Sequence, residues 1–591
     1  MLPGDIVAYA QGAELLRKIG AGNMPLEYVK SAPYLLSFMD RYELKKKVVK
    51  GITGTDLLAS SASDTLLLNR RKINNYQPIT HTNGKLKYLH DLVFGKRHEK
   101  KAHLLLWVPA SHPYYKAGGL FESDEARSFS KIILFSSWEM VPRMVSAMMS
   151  YYSELYTFGE LRRAKPEIKY TTDDRRRYGQ TRLKEGNILE YPCKTLAGLY
   201  DPEKFFGQRL SDIRRAIRGE IARLLDGLNL PQTRRNNARH LLAIMKMFDN
   251  PKYQPDEQIA IPENALDVLT DIAIASPAVC AYRQSGDIED AIRAAKAIVA
   301  IFNKPESAAI IDLIYNKKTY EDYYESVLDY CAIGNLQSVL DEYAHMLGTK
   351  AIGADLDEAI IDTSTLRVDT ADSIGSDERK LSMRTHFAIP FIDKTVSDKS
   401  INRTTNIRKA FNSPFRPFIV SSTSIGQEGL DFHWYSRKIE HWNLPGNPVD
   451  LEQREGRINR FKCLAIRRNV SHLYPDIFSW DAMFAAARAD LKGADSDMVP
   501  FWCLPCGKLT DEQRQGLEKI ERIVPLYPLS RDEYRYHHLI SVLSLYRMTL
   551  GQPRQEELLD ILSQLRLTDA TADLTLDLCP YNKKIKSSVD E

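Results

Sequence analysis

Five short strand-like runs constrain this chain more than any other feature: His103 to Pro109, Lys131 to Trp138, His386 to Phe391, Phe418 to Ser422 and Lys438 to Asn443. Each is too brief for a helix, and the first two are apolar and continuous rather than alternating. That pattern predicts strands buried on both faces, which is the condition of a parallel sheet. After the second run, Val141, Met144, Val145, Met148 and Tyr152 recur at spacings of three and four. A strand followed by such an amphipathic helix is half of a βαβ unit.

Between the second and third runs the strand signal stops and helical periodicity takes over. Leu210, Ile213, Ile217, Ile221, Leu224 and Leu228 line one face. A further helix is expected from Asp287, its N-cap, through Ile288, Ile292 and Ile298 to an end at Asn303 to Pro305. Another runs from Tyr320 to Leu347 and is closed by Gly348. Asn406 to Phe411 reads as a short helix between two strands, and helical periodicity dominates again beyond about residue 475. The expected fold class is therefore α/β, a parallel sheet interrupted by a large all-helical insertion and flanked by helical regions. The expected division is a mixed, mainly helical segment at 1–95, sheet parts at 96–160 and 371–475, the insertion at 161–370, and a helical region at 476–591.

Net charge is only +4, so affinity for a polyanion must come from local patches. Seven scattered cysteines do not make a disulfide framework and suit a reducing compartment. No signal peptide opens the chain, and no apolar run approaches the ~18 residues that cross a bilayer. A cytoplasmic protein with no membrane partner is expected. Trp502-Cys503-Leu504-Pro505-Cys506 lacks the strand context of a redox motif, and Cys463, Cys579, His537 and His538 lack zinc-ligand spacing. No metal site is expected. Arg162, Arg163, Arg175 to Arg177, Arg214, Arg215, Arg218, Arg234 and Arg235 read as solvated helix faces paired with acids. The alternative for them is phosphate contact, with Tyr170 and Tyr178 stacking on bases.

Two segments carry chemistry. Phe418 to Asp431 ends a buried strand in Ser422, Thr423 and Ser424, then a loop with Gly426 and Gly429. The carboxyl end of a parallel strand is where α/β folds bind ligands, and hydroxyls, free amides and glycine suit phosphate oxygens. Read alone, it is equally an ordinary strand-to-helix turn. In Val449 to Arg460, a continuous helix would put Gln453, Arg457 and Arg460 on one face at i, i+4 and i+7. Two guanidinium forks and an amide suit a triphosphate, although a solvated charged face has the same spacing.

Taken together, the two segments resemble motifs V and VI of superfamily 2 helicases and translocases, in their second RecA-like lobe. Trp442-Asn443-Leu444-Pro445-x-Asn447-Pro448 resembles the Swi/Snf-related bacterial branch, Ile132 to Trp138 resembles its motif IV, and Arg403 to Phe411 resembles the helix before motif V. The resemblance covers roughly residues 100–155 and 380–475 and implies a RecA-like sheet. By position, it implies that Arg457 and Arg460 reach the γ-phosphate, with Gln453 near the nucleotide and Gly429 and Asp431 on the nucleotide side. It also implies that Ser422, Thr423, Ser424, Ser136 and Ser137 touch the nucleic-acid backbone. The cofactor would be ATP with Mg2+ and the partner double-stranded DNA.

The chain contains no Gly-x-x-x-x-Gly-Lys-Ser/Thr phosphate loop and no Asp-Glu-x-His or similar acidic motif. The expectation is thus the C-terminal half of an ATP-dependent motor, inactive alone. It would need a polypeptide carrying the first RecA lobe, or a longer native chain. The alternatives are a non-catalytic nucleic-acid-binding or scaffold protein of RecA-like shape, and a truncated gene fragment.

Overall fold

The computed structural model describes residues 2–51, 63–79, 82–164, 182–234, 236–315, 323–360, 364–374, 379–391, 398–423, 431–490, 510–527 and 530–548, with isolated positions 178, 554, 557, 560 and 561. Five strands form one parallel sheet: β1 (Lys131–Phe135), β2 (Ala388–Phe391), β3 (Ile419–Ser422), β4 (Ser436–His441) and β5 (Glu521–Ile523). Their spatial order is β2-β3-β1-β4-β5, with every neighbouring pair parallel. The chain is thus mixed α/β. β1, first in sequence, is central in space and buried throughout. The chain crosses over β1 between β3 and β4, and such a crossing opens a ligand crevice at the carboxyl edge of a sheet.

Helix α1 (Met140–Leu155) follows β1, and only Arg143 among its residues escapes burial. Its polar groups serve the sheet. Ser150 Oγ accepts from the amides of His386, Phe387 and Ala388 at 3.2–3.3 Å, where β2 begins. On the other face, α2 (Asp398–Phe411) packs Ile407 and Phe411 against Ile133, Phe135, Val420 and Ile439. α3 (Pro448–Glu455) and α4 (Leu464–Leu473) follow β4, and α5 (Asp532–Met548) follows β5.

The regular structure among the described residues of 194–359 is helical, apart from a two-residue parallel ladder between Gln232–Thr233 and Ile261–Pro262. In the helix Leu210–Asp226, Ile213, Ile217, Ile221 and Leu225 turn inward. Asp287 caps the helix Ile288–Phe302, its side chain accepting from Asp290 N at 2.8 Å. An antiparallel hairpin, Ser364–Val368 with Leu381–Thr385, precedes β2.

Three expectations need correction. Residues His103 to Pro109 form no strand. A 3-10 turn at Ala102–Leu104 leads into an irregular segment with one isolated bridge, Trp107 to Phe415. Leu105 to Val108 are all but fully buried, and their amides bond elsewhere, Leu106 to Tyr330 Oη and Val108 to Pro414 O. Continuous apolarity reported burial, which helices provide here as well as strands would.

The expected single helix from Tyr320 to Leu347 is two, Tyr323–Ile333 and Leu336–Leu347, broken at Gly334 and Asn335, the latter with φ of 53°. A Cβ on Gly334 would stand 2.6 Å from the Trp107 ring, whose Nε1 donates to Gly334 O. The break makes room for the indole. Finally, β5 lies where only helices were expected. It is a three-residue edge strand, too short and polar to leave a sequence signal. No single helix among the described residues is long and apolar enough to cross a membrane.

Candidate functional site

Phe135, Ser422 and His441 stand abreast at the carboxyl ends of β1, β3 and β4. Beyond them the chain turns outward at Ser136, Thr423 and Trp442. Ser136 is buried and its hydroxyl is committed: Oγ donates to Asn443 Oδ1 at 2.7 Å and accepts from Trp138 N at 3.1 Å. It fastens the turn after β1 to the turn after β4. Ser137, the next residue, is exposed on the rim of a cavity. Ser422 is buried, with its carbonyl accepting from Ser136 N, and Thr423 is half-buried. Ser424 and Gly429 lie outside the described residues.

The arginine-bearing segment departs from the expected geometry. α3 ends at Glu455, with Gly456 as its C-cap. The amides of Arg457 and Ile458 then bond three residues back, to Arg454 O and Glu455 O. This tighter turn drives Ile458 fully into the apolar cluster beside Phe135 and Phe432. Gln453, Arg457 and Arg460 therefore do not share a face of one helix. Gln453 is exposed on the outer side of α3, Arg457 is buried, and Arg460 is exposed.

The structure instead pairs Arg457 with Arg454. Both guanidinium groups lie over the Phe135 ring, 5.3 Å (Arg454) and 5.8 Å (Arg457) from its centre. Arg454 is only 1% exposed and donates from Nη1 to Asn443 O at 3.2 Å. Among the described residues no carboxylate forms an ion pair with it. Burial pulls its guanidinium down to about 10, with Asp450 opposing the shift and Arg457 adding to it. Burial likewise lowers Arg457, with Arg460 adding to the shift and Asp431 opposing it. Two cations held against one ring in a dry setting are strongly polarised toward any anion that approaches.

Sequence reasoning passed over Arg454. The available signal was the inward stripe of α3, in which Pro448, Leu451 and Arg454 recur every three residues.

Arg460 Nε donates to Asp431 Oδ1 at 3.0 Å, with the two side chains 50% and 43% exposed. Its terminal amino groups make no hydrogen bond to a described residue. Glu455 braces the site from behind, approaching His441 Nε2 at 3.3 Å and accepting from Arg522 Nη2 of β5 at 2.7 Å.

The arginines of the helical segment are spent on acids: Arg214 on Asp271 and Asp329, Arg215 on Asp212, Arg218 on Asp267 and Arg223 on Glu220. Arg162 donates to Asn75. Arg175 to Arg177, Arg235 and Tyr170 lie outside the described residues, as do Cys503, Cys506 and Cys579. Among the described residues no three His, Cys, Asp or Glu side chains gather as metal ligands.

As assembled, this edge of the sheet can receive an anionic group at Arg454, Arg457 and the outer end of Arg460. No protein-family model, curated protein or solved structure matches the chain.

Proposed function

We propose that this chain supplies the second, arginine-bearing RecA-like lobe of a superfamily 2 ATP-dependent DNA helicase or translocase, Swi/Snf-related in its motifs. The observation that carries the reading is the convergence of Arg454 and Arg457 on Phe135, at the carboxyl edge of β1 and beside Ser422 and Asp431. In such motors, ATP is sandwiched between two lobes. One lobe cradles its phosphates and magnesium, and the other contributes the arginines. Catalysis there is positioning plus electrostatics, and an arginine of this kind is worth roughly 10³–10⁵ in rate.

The residues here suit the second role alone. Arg457, supported by Arg454, would meet the γ-phosphate, and Arg460 would join it on leaving Asp431. The phosphate cradle and the metal-holding acids would come from a first lobe, on a separate polypeptide or in a longer chain. ATP turnover by this chain by itself is expected to be negligible.

The test is ATP hydrolysis, with and without duplex DNA, by this chain mixed with a purified first lobe. DNA-stimulated turnover that collapses on Arg457→Ala supports the reading. Turnover indifferent to Arg457→Ala and Arg460→Ala refutes it. The second reading, a nucleic-acid-binding scaffold without turnover, draws on the Arg460–Asp431 pair, which occupies one of the arginines assigned to phosphate. It predicts salt-sensitive DNA binding and no hydrolysis in any mixture.

A further inference from the structure

A cavity of about 330 Å³ opens past the ends of β1, β4 and β5, lined by Lys85, Trp138, Trp442, Leu444, Leu526 and Asp532. That is the size of a small-molecule site, and about ten times the volume one water occupies in the liquid. Lys85 is on the face of β4 opposite the arginine pair, and its charge acts on Glu440, whereas Ile439 joins the Phe135 cluster.

Four charged residues, Glu27, Lys85, Asp532 and Arg535, line it, and two of them, Lys85 and Asp532, are held in a particular state. The Lys85 side chain is 5% exposed, and its ammonium donates to Trp442 O at 2.6 Å. An ammonium has three N–H groups, and no other described residue accepts from this one. Asp532 Oδ1 is taken by Lys30 Nζ at 2.8 Å, but Oδ2 is buried with no hydrogen-bond partner. Lys85 Nζ and Asp532 Oδ2 are 3.9 Å apart, too far to bond and close enough for one atom to bridge.

An anion in that gap would meet the Asp532 carboxylate, and a cation would meet the Lys85 ammonium. A group that accepts and donates through the same atom satisfies both, and a hydroxyl does so. The remaining lining mixes apolar surface from Trp138, Trp442, Leu444, Val524, Pro525 and Leu526 with the polar groups of Glu27, Ser137, His441, Asn443 and Arg535. Trp138 is steadied edge-on by Tyr28 at 4.9 Å, and Trp442 is anchored by its Nε1 donating to Ser31 O at 2.9 Å. Trp138, half-buried, offers flat apolar surface to a ring, and the fully buried Trp442 backs the wall.

We propose that this cavity binds a small hydroxyl-bearing ring, a nucleoside or a free sugar, whose hydroxyl accepts from Lys85 Nζ and donates to Asp532 Oδ2. The cavity adjoins the arginine pair through Asn443, whose carbonyl accepts from Arg454, and this binding calls on no nucleotide chemistry there.

The experiment is isothermal titration calorimetry of the full chain with adenosine, 2′,3′-dideoxyadenosine and D-glucose. Adenosine or D-glucose should bind with Kd below about 1 mM. Where adenosine binds, the dideoxy compound should bind at least tenfold more weakly. Binding of adenosine alone assigns a nucleoside site, and binding of D-glucose alone assigns a sugar site. Asp532→Asn, nearly isosteric, and Lys85→Met, which keeps the apolar stem, should each weaken binding at least tenfold. The proposal is overturned if neither adenosine nor D-glucose binds, if dideoxyadenosine matches adenosine, or if both variants bind as the parent does. The dideoxy comparison needs no altered protein, so a variant that fails to fold leaves the test intact. Because the readout is binding rather than turnover, a negative result here leaves the motor reading standing.

Discussion

Arg467 Nε donates to Glu342 Oε1 at 2.7 Å, and the two side chains are 0% and 1% exposed. The pair ties α4, next to the arginine segment, to the helix Leu336–Leu347 of the long helical block. It is fully dressed. Glu342 also accepts from Ser111 N and Oγ, and Arg467 donates to the carbonyls of Lys462 and Trp434. Removing one partner from such a pair strands a charge away from water, at a cost of about 3–5 kcal/mol. Glu342→Ala should therefore lower the urea midpoint, followed by circular dichroism, by that much stability. Combining Glu342→Leu with Arg467→Met should recover a substantial part. A Glu342→Ala protein as stable as the parent would contradict the pairing.

The Arg454 and Arg457 pair predicts a division of labour. With a first lobe supplied, Arg457→Ala should reduce DNA-stimulated ATP turnover by roughly 10³-fold or more, and Arg457→Lys should not restore it, because lysine lacks the planar fork. Phe135→Leu removes the ring under both guanidinium groups and should reduce turnover with only a modest loss of stability. Steady-state hydrolysis and thermal melting, read together, check both halves.

Asp431 and Arg460 form the opposite kind of ion pair, with both partners near half exposure. Exposed pairs contribute about 0–1 kcal/mol. Asp431→Asn should leave the melting midpoint nearly unchanged while releasing a guanidinium beside the arginine pair. In the two-lobe mixture the KM for ATP should fall. A rise in KM would mean that Asp431 itself serves the nucleotide.

The legible part of this protein was the part governed by short-range pattern. β1, β2 and β3 fell on apolar runs because strands buried on both faces leave no polar alternation to confuse the reading, whereas β4 is polar in sequence (Ser-Arg-Lys-Ile-Glu-His) though mostly buried. The Asp287 cap and the Gly348 stop were equally plain, being decided within one turn of chain. What escaped was decided at long range. Leu105 to Val108 look like a strand but are covered by helices from residues 323–347, a fact held more than two hundred residues away. The same contact breaks the helix at Gly334. Arg457 lies off the Gln453 face because Ile458 is drawn into a cluster built from β1, β4 and Phe432, which no local spacing reveals. Arg454 went unnoticed because an arginine on an inward stripe has meaning only once Phe135 is known to lie beneath it.

Glu440 and Lys85 make the pH dependence of stability specific. Burial pushes the Glu440 carboxyl up to about 8, with Lys85 opposing, and both carboxylate oxygens lack hydrogen-bond partners. Between its unfolded value near 4.3 and about 8, the folded chain holds this proton and the unfolded chain releases it. Stability must therefore fall as pH rises through that window and level off above it. Burial pulls the Lys85 ammonium down to about 8, with Asp532 opposing. From there to its unfolded value near 10.4, the unfolded chain holds the extra proton, so this group makes stability rise. Together the two contribute a minimum near pH 8, several kcal/mol deep at most. Urea midpoints measured every half unit from pH 5 to 10 should show it. Glu440→Gln should flatten the acid limb and Lys85→Met the alkaline limb. If Glu440→Gln leaves the fall between pH 5 and 8 untouched, the carboxyl is ionised in the folded chain and some group other than Lys85 neutralises it.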